Sequence, residues 1–119
     1  LQVAEFFQSE GVTVAYPGLD QHPQYKLASD LLNGFGPLLT IDLGSKEMAF
    51  SFISKLKISQ NMSNLGDNRT MVIHPASTIY AKHSPEQLAQ AGVTEGLIRL
   101  NVGLESLKDL LNEFKEALK

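Results

Sequence analysis

Residues 97–105 have the sequence L-I-R-L-N-V-G-L-E, in which a single arginine stands among apolar side chains. The spacing predicts a strand over 97–102 that carries Leu97, Arg99 and Asn101 on one face. Arginine is seldom buried without an anionic partner. We therefore expect Arg99 to serve an anion.

The identity of that anion has two interpretations. A guanidinium group is a rigid fork that suits a carboxylate or a phosphate of a ligand. An arginine on an edge strand also pairs commonly with a carboxylate of its own chain, for which Asp67 and Glu105 are the candidates. The pattern alone leaves both interpretations open.

Helical and strand patterns alternate along the rest of the chain. The apolar stripe of the second helix includes Leu27, Leu31 and Leu32, which we expect to be buried, whereas Glu113 of the last helix should lie outside. Short strands joined by tight turns favour an α/β two-layer sandwich, a small, mostly antiparallel sheet with helices on one face. The predicted helices lie at 2–10, 24–33, 46–56, 85–92 and 105–118, and the predicted strands at 12–16, 37–43, 58–61, 71–73 and 97–102.

Composition narrows the class of protein. The chain has 119 residues, which is enough for one domain. Its net charge is −3, and it has no basic patch of the kind that binds nucleic acid. No apolar run is long enough to span a membrane. There is no cysteine, so disulfides and thiolate metal sites are excluded. This composition is compatible with a protein of the reducing cytoplasm. The three histidines lack the spacing of a metal site.

Two polar segments are candidates for chemistry. N-L-G-D at 64–67 predicts a turn at Gly66, in which Asp67 caps a backbone amide or Asn64 offers its amide to a ligand. H-P-A-S-T at 74–78 contains a serine and a histidine, and a hydrolase that uses Ser77 and His74 is conceivable. Neighbours in sequence seldom form such a catalytic pair, and no G-x-S-x-G motif is present. We therefore expect the His74 ring to be hydrogen-bonded locally.

The order of several motifs resembles the carboxy-terminal domain of the pyridoxal-phosphate-dependent enzymes of cysteine and methionine metabolism. That family includes cystathionine γ-synthase, cystathionine lyases, methionine γ-lyase and O-acetylhomoserine sulfhydrylase. The resemblance covers essentially the whole chain and implies the C-terminal domain of a fold-type I, aminotransferase-like enzyme. The motifs are Y-P-G-L-x-x-H-P at 16–23, N-L-G-D-x-R-T-x-V-I-H-P-A-S-T at 64–78, A-G-V at 91–93 and L-I-R-L-N-V-G-L-E at 97–105.

The resemblance also implies roles for four residues. Arg99 would bind the substrate α-carboxylate through two hydrogen bonds, and Asn64 would help to hold the same group. Ser63 lies where the family varies with the substrate side chain, and Thr78 lies near the pocket. No catalytic lysine, cofactor-binding residue or metal ligand falls within this chain. The resemblance therefore implies a single domain over 1–119 without the large catalytic domain, inactive alone and unable to bind pyridoxal phosphate.

The particular reaction that the resemblance implies is γ-replacement of the O-acetylhomoserine sulfhydrylase type, because relatives of the lyase type more often have serine in place of Asn64. Cystathionine γ-synthase, cystathionine lyase and methionine γ-lyase are the alternatives. The expected partners are an amino-acid substrate such as O-acetylhomoserine, the enzyme's own large domain and a homotetramer, with neither nucleic acid nor membrane. A free-standing, non-catalytic assembly module that self-associates through an exposed apolar face is the interpretation from another class.

Overall fold

The computed structural model describes all residues from 1 to 119. Five strands form one sheet in the order β1-β2-β5-β4-β3, with β5 in the middle. A short 3-10 turn, Pro75–Ser77, follows β4. The helices are α1 (Gln2–Ser9), α2 (Tyr25–Leu31), α3 (Lys46–Lys55), α4 (Pro85–Gln90) and α5 (Leu107–Leu118), and the strands are β1 (Thr13–Ala15), β2 (Leu38–Asp42), β3 (Gln60–Asn61), β4 (Met71–Ile73) and β5 (Leu97–Asn101).

The sheet is mostly antiparallel, as predicted. β2 pairs with β1 and β5, and β5 also pairs with β4, all in antiparallel register. Only β3 and β4 are parallel, and residues 62–70 make the crossover between them. In this register Arg99 lies directly between Thr40 of β2 and Ile73 of β4. The crossover loop therefore starts at the edge strand β3 and ends at β4, which pairs directly with the strand that carries Arg99.

One face of the sheet is covered by helices. Ile98 and Leu100 of β5 are fully buried in a core that also contains the aromatic rings of α1, α3 and α5. The Phe7 and Phe114 ring centroids are 5.2 Å apart, and those of Phe52 and Phe114 are 6.1 Å apart. Burying each such side chain contributes about 1.5–3 kcal/mol. The predicted two-layer α/β class is confirmed.

The other face of β5 carries Leu97, Arg99 and Asn101, as the alternation predicted. Leu97 and Arg99 are partly exposed, whereas Asn101 is buried. The helix layer therefore anchors β5 from one side and leaves Arg99 on the open side of the sheet.

The apolar stripe of α2 is not buried, and that prediction was wrong. Leu27 is 56% exposed and Leu31 73% exposed, and only Ala28 of this helix is buried. α2 lies against the rest of the chain mainly through Tyr25, whose ring stacks on that of Phe35 at 5.6 Å. The helical spacing of apolar residues therefore predicted the helix correctly, but it did not predict which side chains of the helix are buried.

Glu113 of α5 is also not free at the surface, contrary to expectation. Its carboxylate accepts hydrogen bonds from the backbone amides of Lys57 and Ile58, and its Oε2 lies 3.1 Å from the Ser59 amide and 2.7 Å from the Ser59 hydroxyl. Burial acts to raise the pKa of Glu113, but these donors lower it further than burial raises it. The carboxylate thus ties α5 to the turn that leads into β3.

No helix of the chain combines the length and the apolar character that crossing a membrane requires.

The Glu113 contact predicts a pH-dependent stability. Because its pKa is lowered by folding, its stabilisation is complete above the unfolded value of about 4.3 and is lost as the pH falls through the folded value. Glu113→Gln should lower the free energy of unfolding by about 1–2 kcal/mol at neutral pH and by much less in acid. Urea unfolding of both proteins at the two pH values measures this difference. Glu10→Gln, an exposed glutamate whose side chain makes no hydrogen bond, is the control; an equal deficit of Glu113→Gln in acid would contradict the prediction.

Candidate functional site

The crossover loop 63–70 is held against β5 and its continuation by side-chain and backbone hydrogen bonds. Arg99 Nη2 donates to the Ser63 carbonyl at 2.7 Å, and Asn101 Oδ1 accepts from the Gly66 amide at 3.2 Å. Further along, the Leu104 amide donates to the Asn68 carbonyl at 2.8 Å. Alternate residues of the strand thus fix successive parts of the loop.

Glu105 closes the far end of the loop. Its carboxylate accepts from both the amide and the hydroxyl of Thr70, each at 2.7 Å, and the Thr70 Oγ1 in turn accepts from the Gly103 amide at 2.9 Å. Burial raises the pKa of Glu105, but the hydrogen bonds from Thr70 outweigh it and the net effect is a lowered pKa. Glu105 is therefore committed to the loop.

Asp67 is committed in the same way. It accepts from the Arg69 amide at 3.0 Å, which confirms the predicted capping of a neighbouring amide, and its two oxygens lie 3.1 Å from Arg69 Nε and Nη2. The side-chain hydrogen bond from Arg69 lowers the pKa of Asp67. Gly66, which precedes it, has a φ of +71°, so the predicted turn at this glycine is confirmed.

Arg99 consequently has no carboxylate partner in its own chain. The ion pairs of the molecule join Lys26 to Asp30, Arg69 to Asp67 and Lys119 to Glu116. The interpretation that Arg99 pairs with Asp67 or Glu105 is wrong, because nearer donors occupy both carboxylates. The Arg99 guanidinium binds only the Ser63 carbonyl, which leaves most of its N–H donors for an anion from outside.

A groove of about 480 Å³ lies beside this arginine. Three residues predicted for the site, Ser63, Asn64 and Thr78, line it together, and Ile73, the neighbour of Arg99 across the β4–β5 pair, forms part of its wall. The remaining lining residues are Asn61, Met62 and Ile79. Three of the four predicted residues thus line one groove, and the fourth, Arg99, lies next to it through its hydrogen bond to the Ser63 carbonyl. Their roles stay predictions.

The polar side chains of the groove differ in the hydrogen-bonding capacity that they have left for a ligand. The Asn64 side chain is exposed and makes no hydrogen bond within the chain, so its amide can bind a ligand. The Thr78 hydroxyl donates to the His74 carbonyl at 2.7 Å and keeps only its acceptor capacity.

His74 is buried at the end of β4 and is hydrogen-bonded locally, as predicted. Its Nε2 lies 2.8 Å from the Glu95 carbonyl, which can only accept, so the proton is on Nε2. Nδ1 therefore accepts from the Ser77 hydroxyl at 2.8 Å and the Ser77 amide at 3.3 Å. The 3-10 turn folds Ser77 back onto the ring that caps it, so the contact between these two neighbours is part of this local hydrogen bonding.

Asn101 is the functional candidate that the sequence reasoning missed. It is 3% exposed, and its Nδ2 is the one buried side-chain polar atom without a hydrogen-bond partner. A polar residue two positions after Arg99, on the same face of an apolar strand, was the available signal. Its amide oxygen holds Gly66 and thereby the turn that follows Asn64.

The chain folds as a two-layer α/β domain in which the partly exposed Arg99 has no carboxylate partner. The family described as Cys/Met metabolism PLP-dependent enzyme matches residues 1–119. The chain belongs to this family.

Relatives agree in sequence and in structure. O-acetyl-L-homoserine sulfhydrylase 1 of Thermus thermophilus is 48% identical over 93% of this chain and 27% of its own length. O-succinylhomoserine sulfhydrylase of Pseudomonas aeruginosa is 39% identical over 99% of this chain and 30% of its own length. The crystal structure of a putative O-acetylhomoserine (thiol)-lyase from Campylobacter jejuni superposes with a TM-score of 0.93 at 34% identity, covering 98% of this chain and 29% of the other. The chain thus spans less than a third of the length of the relatives it matches.

The groove lacks the side chains that the cofactor of the family, pyridoxal phosphate, requires. Pyridoxal phosphate is held through an amine and needs donors for its phosphate. The Campylobacter structure contains a pyridoxyl-lysine phosphate. In this chain no lysine or arginine lines the groove, and no three His, Asp or Glu side chains are placed to hold a metal ion. These residues do not fit the cofactor by themselves.

Asn101→Ala should loosen the loop without unfolding the sheet. Removing Oδ1 leaves the Gly66 amide without its acceptor, so its hydrogen exchange should accelerate about fivefold, equivalent to about 1 kcal/mol. Amide exchange by NMR on the 119-residue chain measures it. Asn68→Ala, in the same loop but with a side chain that makes no hydrogen bond, is the control; equal exchange at Gly66 in both variants would rule out the anchoring role.

Proposed function

We propose that this chain is the C-terminal, substrate-binding domain of a larger pyridoxal-phosphate-dependent enzyme of methionine and cysteine biosynthesis. The proposed reaction is γ-replacement of the O-acetylhomoserine sulfhydrylase type, in which a sulfur nucleophile replaces the acyloxy group. The observation that carries the proposal is the partly exposed Arg99, which is bound to the carbonyl of the groove residue Ser63 and has no carboxylate partner. The 48% identity to a sulfhydrylase over 93% of the chain supports the choice of reaction.

The substrate α-carboxylate would bind to the free edge of the Arg99 guanidinium. The Ser63 carbonyl already accepts from Nη2 and fixes the plane of the group, so little side-chain freedom is lost when the carboxylate arrives. The Asn64 amide lies on the wall of the same groove and would donate to the second carboxylate oxygen. Holding the carboxylate orients the Cα bonds of the substrate, an effect that contributes several kcal/mol to catalysis.

The rest of the proposed enzyme would supply the chemistry. The pyridoxal group acts as an electron sink when bound, and its lysine and phosphate donors would come from the large domain. The exposed leucines of α2 would contact other parts of the protein. We place the intact protein in the cytoplasm as a homotetramer, and this domain alone would be inactive.

Two other functions remain as alternatives with an observation behind each. Methionine γ-lyase of Fusobacterium nucleatum is 36% identical over 88% of this chain, and a cystathionine γ-synthase from Xanthomonas oryzae superposes with a TM-score of 0.91, so the reaction could be an elimination or another replacement. A free-standing assembly module would use the exposed α2 surface to self-associate. Sequencing the gene upstream of the codon for Leu1 distinguishes the enzyme from the assembly module. A reading frame that continues upstream and encodes a cofactor-binding lysine supports the enzyme.

Arg99→Ala in the full-length protein should reduce kcat/KM for O-acetyl-L-homoserine by about a hundredfold or more, because a charge-assisted bidentate contact is lost. Cofactor binding, followed by its visible absorbance, should not change. Arg99→Lys should recover only part of the activity, since an ammonium group lacks the fork. Arg69→Ala removes the other arginine of the chain and serves as the control. An unchanged kcat/KM in Arg99→Ala would refute the carboxylate role.

Ser77→Ala tests the hydrolase interpretation of the His74 pair. The hydroxyl donates to a buried ring nitrogen, so its loss should lower stability by about 1 kcal/mol, while kcat/KM for O-acetyl-L-homoserine stays within about twofold. Chemical unfolding and a steady-state assay of the same preparation measure the two effects. Complete loss of activity with the cofactor still bound would instead favour a nucleophilic serine.

A further inference from the structure

The wall of the groove beyond the polar residues is apolar and uncharged. Met62, Ile73 and Ile79 form it, and none of the seven lining residues carries a charge. Ile73 is buried, whereas Met62 is 37% exposed and Ile79 49% exposed, so the last two lie at the open side. The lining of the groove is thus neutral, and the cation Arg99 lies next to it, bound to the Ser63 carbonyl and paired with Ile73 across the strands.

We propose that Ile79, together with Met62, selects the γ-substituent of the substrate and restricts it to uncharged groups. This inference rests on the proposed function, because it takes Arg99 as the α-carboxylate site. An acetyl ester would lie against the apolar wall, whereas a succinyl ester would bring a second carboxylate to the same place.

Electrostatics decides between the two esters. A carboxylate that leaves water for an apolar surface loses hydration and must regain it from a cation or from hydrogen-bond donors. Arg99 would already be occupied by the α-carboxylate. Arg69, the other arginine, is bound to both oxygens of Asp67. Neither arginine is therefore free for a second carboxylate, and no lysine of this chain lines the groove.

Ile79 is the position at which this selectivity can be altered with little effect on the fold. The backbone on either side is fixed, because the amides of Thr78 and Tyr80 both donate to the Pro75 carbonyl, at 3.1 and 3.0 Å. The Ile79 side chain itself is half-exposed, so a longer polar side chain can extend into solvent. A charge placed there changes the groove and leaves the turn intact.

The experiment measures kcat/KM for O-acetyl-L-homoserine and O-succinyl-L-homoserine, each with sulfide, in the full-length protein. We expect the native protein to prefer the acetyl ester and Ile79→Lys to shift the ratio towards the succinyl ester by about tenfold, which corresponds to 1.4 kcal/mol. The shift should shrink at high salt, as an ion pair open to solvent requires. Met62→Lys should shift the ratio in the same direction, which keeps the test valid if Ile79→Lys folds poorly.

Two controls separate charge from other effects. Met48→Lys adds the same charge at a residue of similar exposure, 56%, on α3 in the helix layer, and should leave the ratio unchanged. Ile79→Gln adds polarity without charge and should also leave it near the native value. A native preference for the succinyl ester, or a ratio in both lysine variants equal to that of Met48→Lys, would overturn the inference while leaving the proposed function intact. A protein that uses neither ester would overturn the proposed function and this inference with it.

Discussion

The side chains of β5 alternate between two faces of the sheet, the apolar core under the helices and the open side that carries the polar residues. Ile98 and Leu100 belong to the core under the helices, while Arg99 and Asn101 hold the crossover loop on the open side through the Ser63 carbonyl and the Gly66 amide. Because the side-chain period of a strand is two, neither set can shift without moving the other. The packing of the core therefore sets the position of the guanidinium relative to the groove.

The charge of Arg99 remains available because each nearby carboxylate is satisfied by closer donors. Asp67 is held by the side chain and amide of Arg69, and Glu105 by the hydroxyl and amide of Thr70. Their lowered pKa values follow from the same contacts. The Asp67 pair joins residues two apart in sequence, so the chain loses little entropy to form it, whereas the Glu105 contact joins residues 35 apart and ties the end of the loop to the segment after β5. Arg99 has no carboxylate partner because both of these internal anions are bound to other donors.

Features that depend on local spacing could be predicted from the sequence. The alternation of β5 and the turn at Gly66 are of this kind, and the structure has both. The face of α2 and the role of Glu113 could not be predicted, because they depend on which distant segment approaches. Asn101 was missed for the same reason: its importance lies in the loop above it. The motifs identified Arg99, Asn64, Ser63 and Thr78 as candidates. Only the fold brings the last three to one groove and Arg99 against the Ser63 carbonyl beside it, and their roles stay predictions.

The order of the strands has a consequence for synthesis. β5 is the last strand in the chain and the middle strand of the sheet, so β1–β2 and β3–β4 are separate ribbons with no mutual pairing until it arrives. Isolated two-stranded ribbons are marginally stable in water. Until β5 has been synthesised, the edges of β2 and β4 that pair with it therefore stay exposed. Unpaired strand edges are prone to aggregation. The strand that carries Arg99 is thus also the one that joins the two ribbons into a single sheet.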